Sequence, residues 1–182
     1  MIITEITVSS VEQLKNHIYH LKCYSPALAS SIKAGQFLNL KVNDTTFPLL
    51  RRPFSISDVI GDEIYLLFNV HGEGTRMLTH KVKGDLLDVL APLGCGFKSD
   101  GDFDTAVLIG GGLGVAPFPL LTKQLQEKKI FTFLGGRSEA DIVTYGLKNV
   151  FVSTDDGSLG EKGTVVKLFL ENLDKFEGKK IK

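Results

Sequence analysis

The chain changes its sequence rhythm once, near Lys98-Ser-Asp-Gly-Asp102, and this change limits its possible folds more than any other feature. Before it, six short segments rich in Ile, Val, Leu, Phe and Tyr (2–9, 17–23, 36–42, 54–59, 63–70 and 86–91) alternate with Gly, Asn, Asp and Pro clusters. Strands recurring at a spacing of about 8–12 residues predict a sandwich or barrel. Residues 1–98 are read as a small antiparallel barrel, with one short helix over 75–81. After the change, strand-like runs at 105–109, 130–134 and 150–153 alternate with helical patterns at 116–128, 139–147 and 164–173. Such alternation predicts a parallel sheet with crossover helices, so residues 103–182 are read as an α/β domain.

The composition narrows the function classes. The 182 residues carry 21 Lys+Arg against 21 Asp+Glu, and this balance argues against a general nucleic-acid binder, which shows a basic excess. Cys23 and Cys95 are too few for a disulfide framework or for the ligands of an iron–sulfur cluster, and the four histidines lack metal-binding spacing. The N-terminus has neither the basic nor the long apolar region of a signal peptide, and no run approaches the roughly 18 apolar residues of a membrane span. A cytoplasmic protein without a membrane span is expected.

Three segments carry chemistry. Val107-Leu-Ile-Gly-Gly-Gly-Leu-Gly-Val-Ala-Pro117 runs from a strand through glycines into a helix, which sets backbone N–H groups against a phosphate. It is neither the G-x-G-x-x-G fingerprint nor a Walker loop, and a plain strand-to-helix turn is the alternative. Leu50-Arg-Arg-Pro-Phe-Ser-Ile-Ser57 offers two arginines for a pyrophosphate, Phe54 for a flat ring and Ser55 for a ring nitrogen; the alternative is a surface arginine pair beside a core Phe. Val70-His-Gly-Glu-Gly-Thr-Arg-Met77 again opens a short helix after glycines, with a Thr-capped turn as the alternative.

In order and spacing, Arg52-Pro-Phe-Ser55, Gly72-x-Gly-Thr75, Ala91-Pro-Leu-Gly-x-Gly-Phe97 and Gly110-Gly-Gly-Leu-Gly-Val-Ala-Pro117 resemble the ferredoxin–NADP reductase-like flavoproteins. Gly135-Gly-Arg-Ser138 and Ser153-Thr-Asp-Asp-Gly-Ser-x-Gly160 extend the match over essentially the whole chain. Within that superfamily, the doubled arginine, Gly-Glu-Gly-Thr and Thr-Asp-Asp-Gly-Ser are most similar to the electron transfer subunits of class B dihydroorotate dehydrogenase.

The resemblance implies FAD on the barrel and NAD on the α/β domain. Arg52 would pair with the FAD pyrophosphate, with Pro53 beside it in the motif; Phe54 would pack on the flavin, and Ser55 would bond near its N5. Leu67, Phe68 and Asn69 would line the cofactor with backbone groups, and Gly74 and Thr75 would cradle the pyrophosphate. Many relatives have Tyr where Phe54 stands. Gly110, Gly111, Gly112 and Gly114 would contact the NAD pyrophosphate, with Arg137, Ser138, Thr154 and Asp155 at strand ends. Arg137 leaves NADP open. No protein acid or base is implied: Asp155-Asp156 reads as turn chemistry, and Glu139 and Asp141 as helix N-terminal charges. Cys23 reads as barrel core, Cys95 as a small packed loop side chain, and His71 as a turn residue or a FAD contact.

The family pattern continues past Lys182 with a fourth strand and four cysteines that bind a [2Fe-2S] cluster; those ligands are absent here. The nucleotide domain is therefore expected to be C-terminally incomplete, leaving 105–109 as an apolar edge strand. The implied role is electron transfer between a dihydroorotate dehydrogenase catalytic subunit and NAD(H) through FAD, in pyrimidine biosynthesis and in a heterotetramer. A stand-alone NAD(P)H-dependent flavin or ferredoxin reductase and a non-catalytic FAD-binding module are the alternatives.

Overall fold

A computed structural model describes residues 2–182, which separate into two compact units that divide between Phe97 and Lys98. In the first unit, β1 (Ile2–Lys15), β2 (Ile18–Tyr24), β3 (Phe37–Leu40), β4 (Arg52–Ile60), β5 (Glu63–Asn69) and β6 (Leu86–Leu93) close into an antiparallel barrel in the order β1-β2-β5-β4-β3-β6. Alternation explains the closure. Ile6, Val8, Leu21, Cys23, Leu38, Leu40, Ile56, Ile64, Leu66, Leu87 and Val89 are buried at strand positions that share the inner face. Two short helices, α1 (Pro26–Ala29) and α2 (Glu73–Leu78), lie in the connections.

β1 runs well beyond the expected 2–9. Its polar half pairs with β2 as far as Lys15↔Ile18 around a tight turn, with bulges between Val8 and Ser10 and between Gln13 and Lys15. An antiparallel hairpin can leave one face in water, so the polarity of 10–15 hid a strand.

In the second unit, β7 (Thr105–Gly111), β8 (Lys129–Gly136), β9 (Val150–Thr154) and a short β10 (Glu161–Lys162) form a parallel sheet in the order β10-β9-β8-β7. α3 (Phe118–Gln124) lies in the crossover from β7 to β8, and α4 (Val165–Leu170) follows β10. Phe131, Phe133, Leu168 and Phe176 are the centre of an aromatic core. Phe133 stacks on Phe151 with centroids 4.9 Å apart and meets the Phe169 ring edge-on at 5.4 Å. Replacing Phe133 by Ala should cost about 3–5 kcal/mol of this unit's stability, measured by denaturant unfolding.

Two expectations are corrected. The helix over 139–147 is only one 3-10 turn, Glu139–Asp141, after which the chain extends to bury Ile142 and Val143. The 105–109 run does lie in the edge strand β7, and on its outer side Ile181 bridges Thr105 in parallel while Val107 N–H donates to the Lys182 carbonyl at 2.9 Å. Cys95 is exposed rather than packed, whereas Cys23 is buried and its thiol is pushed up to about 12, chiefly by burial. One thiol should therefore react with Ellman's reagent in the native chain, and Cys95→Ser should abolish that reaction; the second should react only on unfolding.

Candidate functional site

In the barrel, β4 changes partner part-way along. Its ladder with β5 covers Ile56↔Leu66 to Ile60↔Glu63, while Arg52–Ser55 pairs instead with β3, from Phe37↔Ser55 to Leu40↔Arg52. Over the same stretch β5 continues as Leu67–Asn69, paired only with β2. Residues 52–55 and 67–69 thus flank a slot where β4 and β5 have parted and their facing backbone groups do not pair with each other. Both segments were singled out in the sequence, and the topology brings them together. Phe54 is buried and meets Phe68 edge-on with centroids 6.0 Å apart; Phe68 in turn stacks on Tyr19.

The two arginines divide their work. Arg51 donates through Nη2 to Asp88 Oδ2 at 2.6 Å and through Nη1 to the Asp88 carbonyl at 3.0 Å, which fastens the loop before β4 to β6. The fork of both arginines around one phosphate is therefore corrected. Arg52 lies over Gly74 on α2. A Cβ built on Gly74 would stand 3.3 Å from Arg52 Nε, so a side chain here would push the guanidinium away. Arg52 Nη1 donates to the Leu50 carbonyl, while Nε and Nη2 make no hydrogen bond to the protein among the described residues.

α2 opens after Gly72, whose φ of +92° is a conformation open chiefly to glycine. Thr75 Oγ1 accepts from the His71 N–H at 2.7 Å and donates to the Gly72 carbonyl at 3.1 Å, so this hydroxyl builds the turn. The first-turn N–H groups of α2, which have no partner inside the helix, stand beside the Arg52 guanidinium, a combination suited to an anion. His71 is exposed. Beyond Glu73, a cleft of about 390 Å³ follows the helix, lined by Val42, Asn43, Arg76, Met77 and His80. Sequence reasoning missed Val42 and Asn43 because no glycine or arginine motif marks their loop.

In the second unit, the glycines also separate by role. A Cβ on Gly110 would lie 2.9 Å from the Phe118 ring, so this glycine lets α3 pack close to β7. Gly112 takes a φ of +49°, and Cβ atoms there or on Gly114 would meet open space. The 3-10 turn Gly112–Val115 thus presents open backbone after the first strand. Pro117 then precedes α3, where its missing N–H costs nothing.

The ends of β8 and β9 are knitted together. Asp155 N–H donates to the Gly136 carbonyl at 3.0 Å, Asp156 N–H to Arg137 at 3.2 Å, and Glu139 N–H to Ser158 Oγ at 2.8 Å. Thr154 Oγ1 is spent on Leu159, accepting from its N–H and donating to its carbonyl. The Asp156 carboxyl accepts from the Ser158 hydroxyl and N–H, which hold it below the usual carboxylate range; it serves the turn. Asp155 is exposed and Ser138 half-buried. Asp141, expected as a helix-end charge, instead accepts a two-point fork from Arg137.

Among the described residues, no group of His, Cys, Asp and Glu side chains could hold a metal ion, and no helix is long and apolar enough to cross a membrane. Arg51→Ala should lower stability by about 1–3 kcal/mol in denaturant unfolding, because it strands the Asp88 carboxylate. Arg52→Ala should stay within about 0.5 kcal/mol of the parent.

No protein-family model matches the chain. It is 39% identical over 184 residues to the dihydroorotate dehydrogenase B (NAD(+)) electron transfer subunit of Bacillus velezensis, covering 94% of this chain and 71% of that protein. Against the subunit of the same name from Desulforamulus reducens, identity is 34% over 176 residues, with 92% and 67% covered. Among solved structures, the NADH-dependent reduced ferredoxin-NADP oxidoreductase superposes with a TM-score of 0.81 at 24% identity, over 96% of this chain and 64% of that one. This last likeness concerns the fold: an antiparallel barrel followed by a parallel-sheet α/β unit.

Proposed function

The chain belongs to the family of dihydroorotate dehydrogenase B (NAD(+)) electron transfer subunits, and from that premise we propose that it binds FAD on its barrel and NAD(H) on its parallel sheet. In this role it passes electrons between NAD and a dihydroorotate dehydrogenase catalytic subunit, as part of cytoplasmic pyrimidine biosynthesis and in a heterotetramer.

The observation that carries the proposal is the slot between β4 and β5 together with Arg52 over the start of α2. A flavin is a flat ring with polar edges joined to a pyrophosphate, and the slot offers matching groups. Phe54 is the ring at its wall, and Ser55 and the backbone of Leu67, Phe68 and Asn69 are polar partners for a ring edge. Pro53 has no N–H, so it leaves no donor unsatisfied at the strand's end. Arg52 and the α2 amides of Gly74 and Thr75 neutralise the pyrophosphate, and the cleft along α2 takes the remaining arm. Phe in place of Tyr at residue 54 keeps the ring face and omits a hydroxyl.

On the parallel sheet, the open turn at Gly111, Gly112 and Gly114 receives the dinucleotide pyrophosphate, Gly110 sets its packing, and Arg137, Ser138, Thr154 and Asp155 surround the adenosine end. Ligands bind at the carboxyl ends of strands in such sheets, where these residues stand. Bound FAD would supply the redox chemistry, exchanging a hydride with the nicotinamide and single electrons with the partner; the chain's residues would bind, orient and balance charge. A [2Fe-2S] cluster needs four thiolates, and buried Cys23 with exposed Cys95 do not fit one, so this chain's residues are given no step through a cluster.

Purified chain supplied with FAD should become yellow with one flavin bound; a chain that cannot be loaded overturns the proposal. Arg52→Ala should weaken FAD binding roughly 10- to 100-fold in fluorescence titrations, the worth of one charge-assisted phosphate bond. Unchanged affinity would remove Arg52 from its assigned place.

A further inference from the structure

Between β3 and β4 the chain displays apolar side chains for which the flavin site has no use. Phe47, Leu49 and Leu50 are 68%, 73% and 71% exposed, while Pro48 among them is buried. Single apolar residues on a surface are ordinary, but three within four residues make a patch. The loop that carries them is built by polar bonds. Asn43 Nδ2 donates to the Phe47 carbonyl at 2.9 Å, Thr45 Oγ1 donates to the same carbonyl at 2.8 Å, and the Thr45 N–H donates to Asn43 Oδ1 at 3.0 Å. One end is held to α2 through Asn43 and the Met77 sulfur, and the other to β6 through Arg51 and Asp88. These bonds keep the three side chains in water, which is unfavourable until something covers them.

We propose that this loop is the docking surface for the dihydroorotate dehydrogenase catalytic subunit, which meets it with an apolar, largely uncharged recess. The inference rests on the reading that the barrel holds FAD and exchanges electrons with that subunit. Position favours this occupant. Leu50 precedes Phe54 by four residues, so a partner seated on the loop starts no more than about 14 Å from the flavin wall. Electron transfer between proteins falls steeply with distance. The subunit that exchanges the electrons therefore has to sit close to the cradle, and this patch adjoins Arg52.

Area and charge favour a lasting contact. The three side chains offer on the order of 300 Å² of apolar surface. A stable interface covers about 800 Å² on each partner, so they supply roughly a third of one side. Neighbouring charges are tied up in pairs: Arg51 with Asp88 at 2.6 Å, Lys41 with Asp44 at 3.3 Å, and Arg76 with Glu73 at 2.7 Å. A short-lived redox encounter is steered by an unbalanced field of one sign. Paired charges around an apolar centre instead suit a subunit that stays bound.

The FAD-loaded chain should be titrated with the purified dihydroorotate dehydrogenase catalytic subunit of the same organism, with Kd read by surface plasmon resonance and size by light scattering. Phe47→Ser should weaken binding roughly 10-fold, and the triple variant Phe47→Ser, Leu49→Ser, Leu50→Ser at least about 100-fold. Both should keep the parent's FAD content and unfolding midpoint, because the replaced side chains stand in water. Ile60→Ser, at the far end of β4 and 48% exposed, should bind within twofold of the parent. If the triple variant loses FAD, the single variants Phe47→Ser and Leu49→Asp decide by the same measure. Variants that keep FAD and bind within twofold of the parent overturn the inference and leave the electron-transfer reading standing. A parent dimer that the triple variant dissolves, with binding to the catalytic subunit unchanged, overturns it too and gives the patch to a second copy of this chain. A FAD-loaded parent that does not bind the catalytic subunit overturns the electron-transfer reading and this inference together.

Discussion

Backbone hydrogen bonding is the constraint on which the rest of the first unit depends. A closed barrel leaves no edge unless a strand changes partner, and β4 changes from β5 to β3 between Ile56 and Ser55. Polar backbone groups cannot be left unsatisfied without cost, so the parted stretch asks for a ligand with polar edges or for water. Everything proposed for the flavin follows from that one parting: Phe54 at the wall, Leu67–Asn69 opposite, and Arg52 carried to α2. The same accounting applies at α2, because the first amides of any α-helix have no acceptor inside it.

Much of this was legible in the sequence because glycines, prolines and strand alternation leave local marks. The barrel, the parallel sheet and the two segments that flank the slot can all be read from Arg52-Pro-Phe-Ser55, Leu67–Asn69 and Gly72-x-Gly-Thr75. Long-range pairings leave no such mark. Arg51 and Arg52 are neighbours of identical type, and only the approach of Asp88 on β6 and Gly74 on α2 tells them apart. The polar end of β1 looked like loop because its solvent face is on view and its partner is not. Asp141 looked like a helix-end charge because Glu139–Leu147 resembles a helix, until burial of Ile142 and Val143 pulls the segment out straight.

Within the motifs, the structure sorts glycines and hydroxyls by task. Gly110 permits a close helix, while Gly112 and Gly114 leave backbone in the open. Thr75 and Thr154 spend their hydroxyls on the turns that hold them. Residues that hold the shape of a site are written in the same alphabet as residues that touch its ligand, and motif matching alone cannot separate them.

The stitching between the ends of β8 and β9 has a dynamic consequence. Gly136, Arg137 and Glu139 are bonded to Asp155, Asp156 and Ser158, so the two loops behave as one rigid plate. The entropy of ordering them is settled when the chain folds, not when a nucleotide arrives, so little of the binding energy is lost to immobilising loops. A plate of this kind also transmits force: a substitution in the 155–158 turn that loosens Ser158 will be felt at Arg137 without touching it.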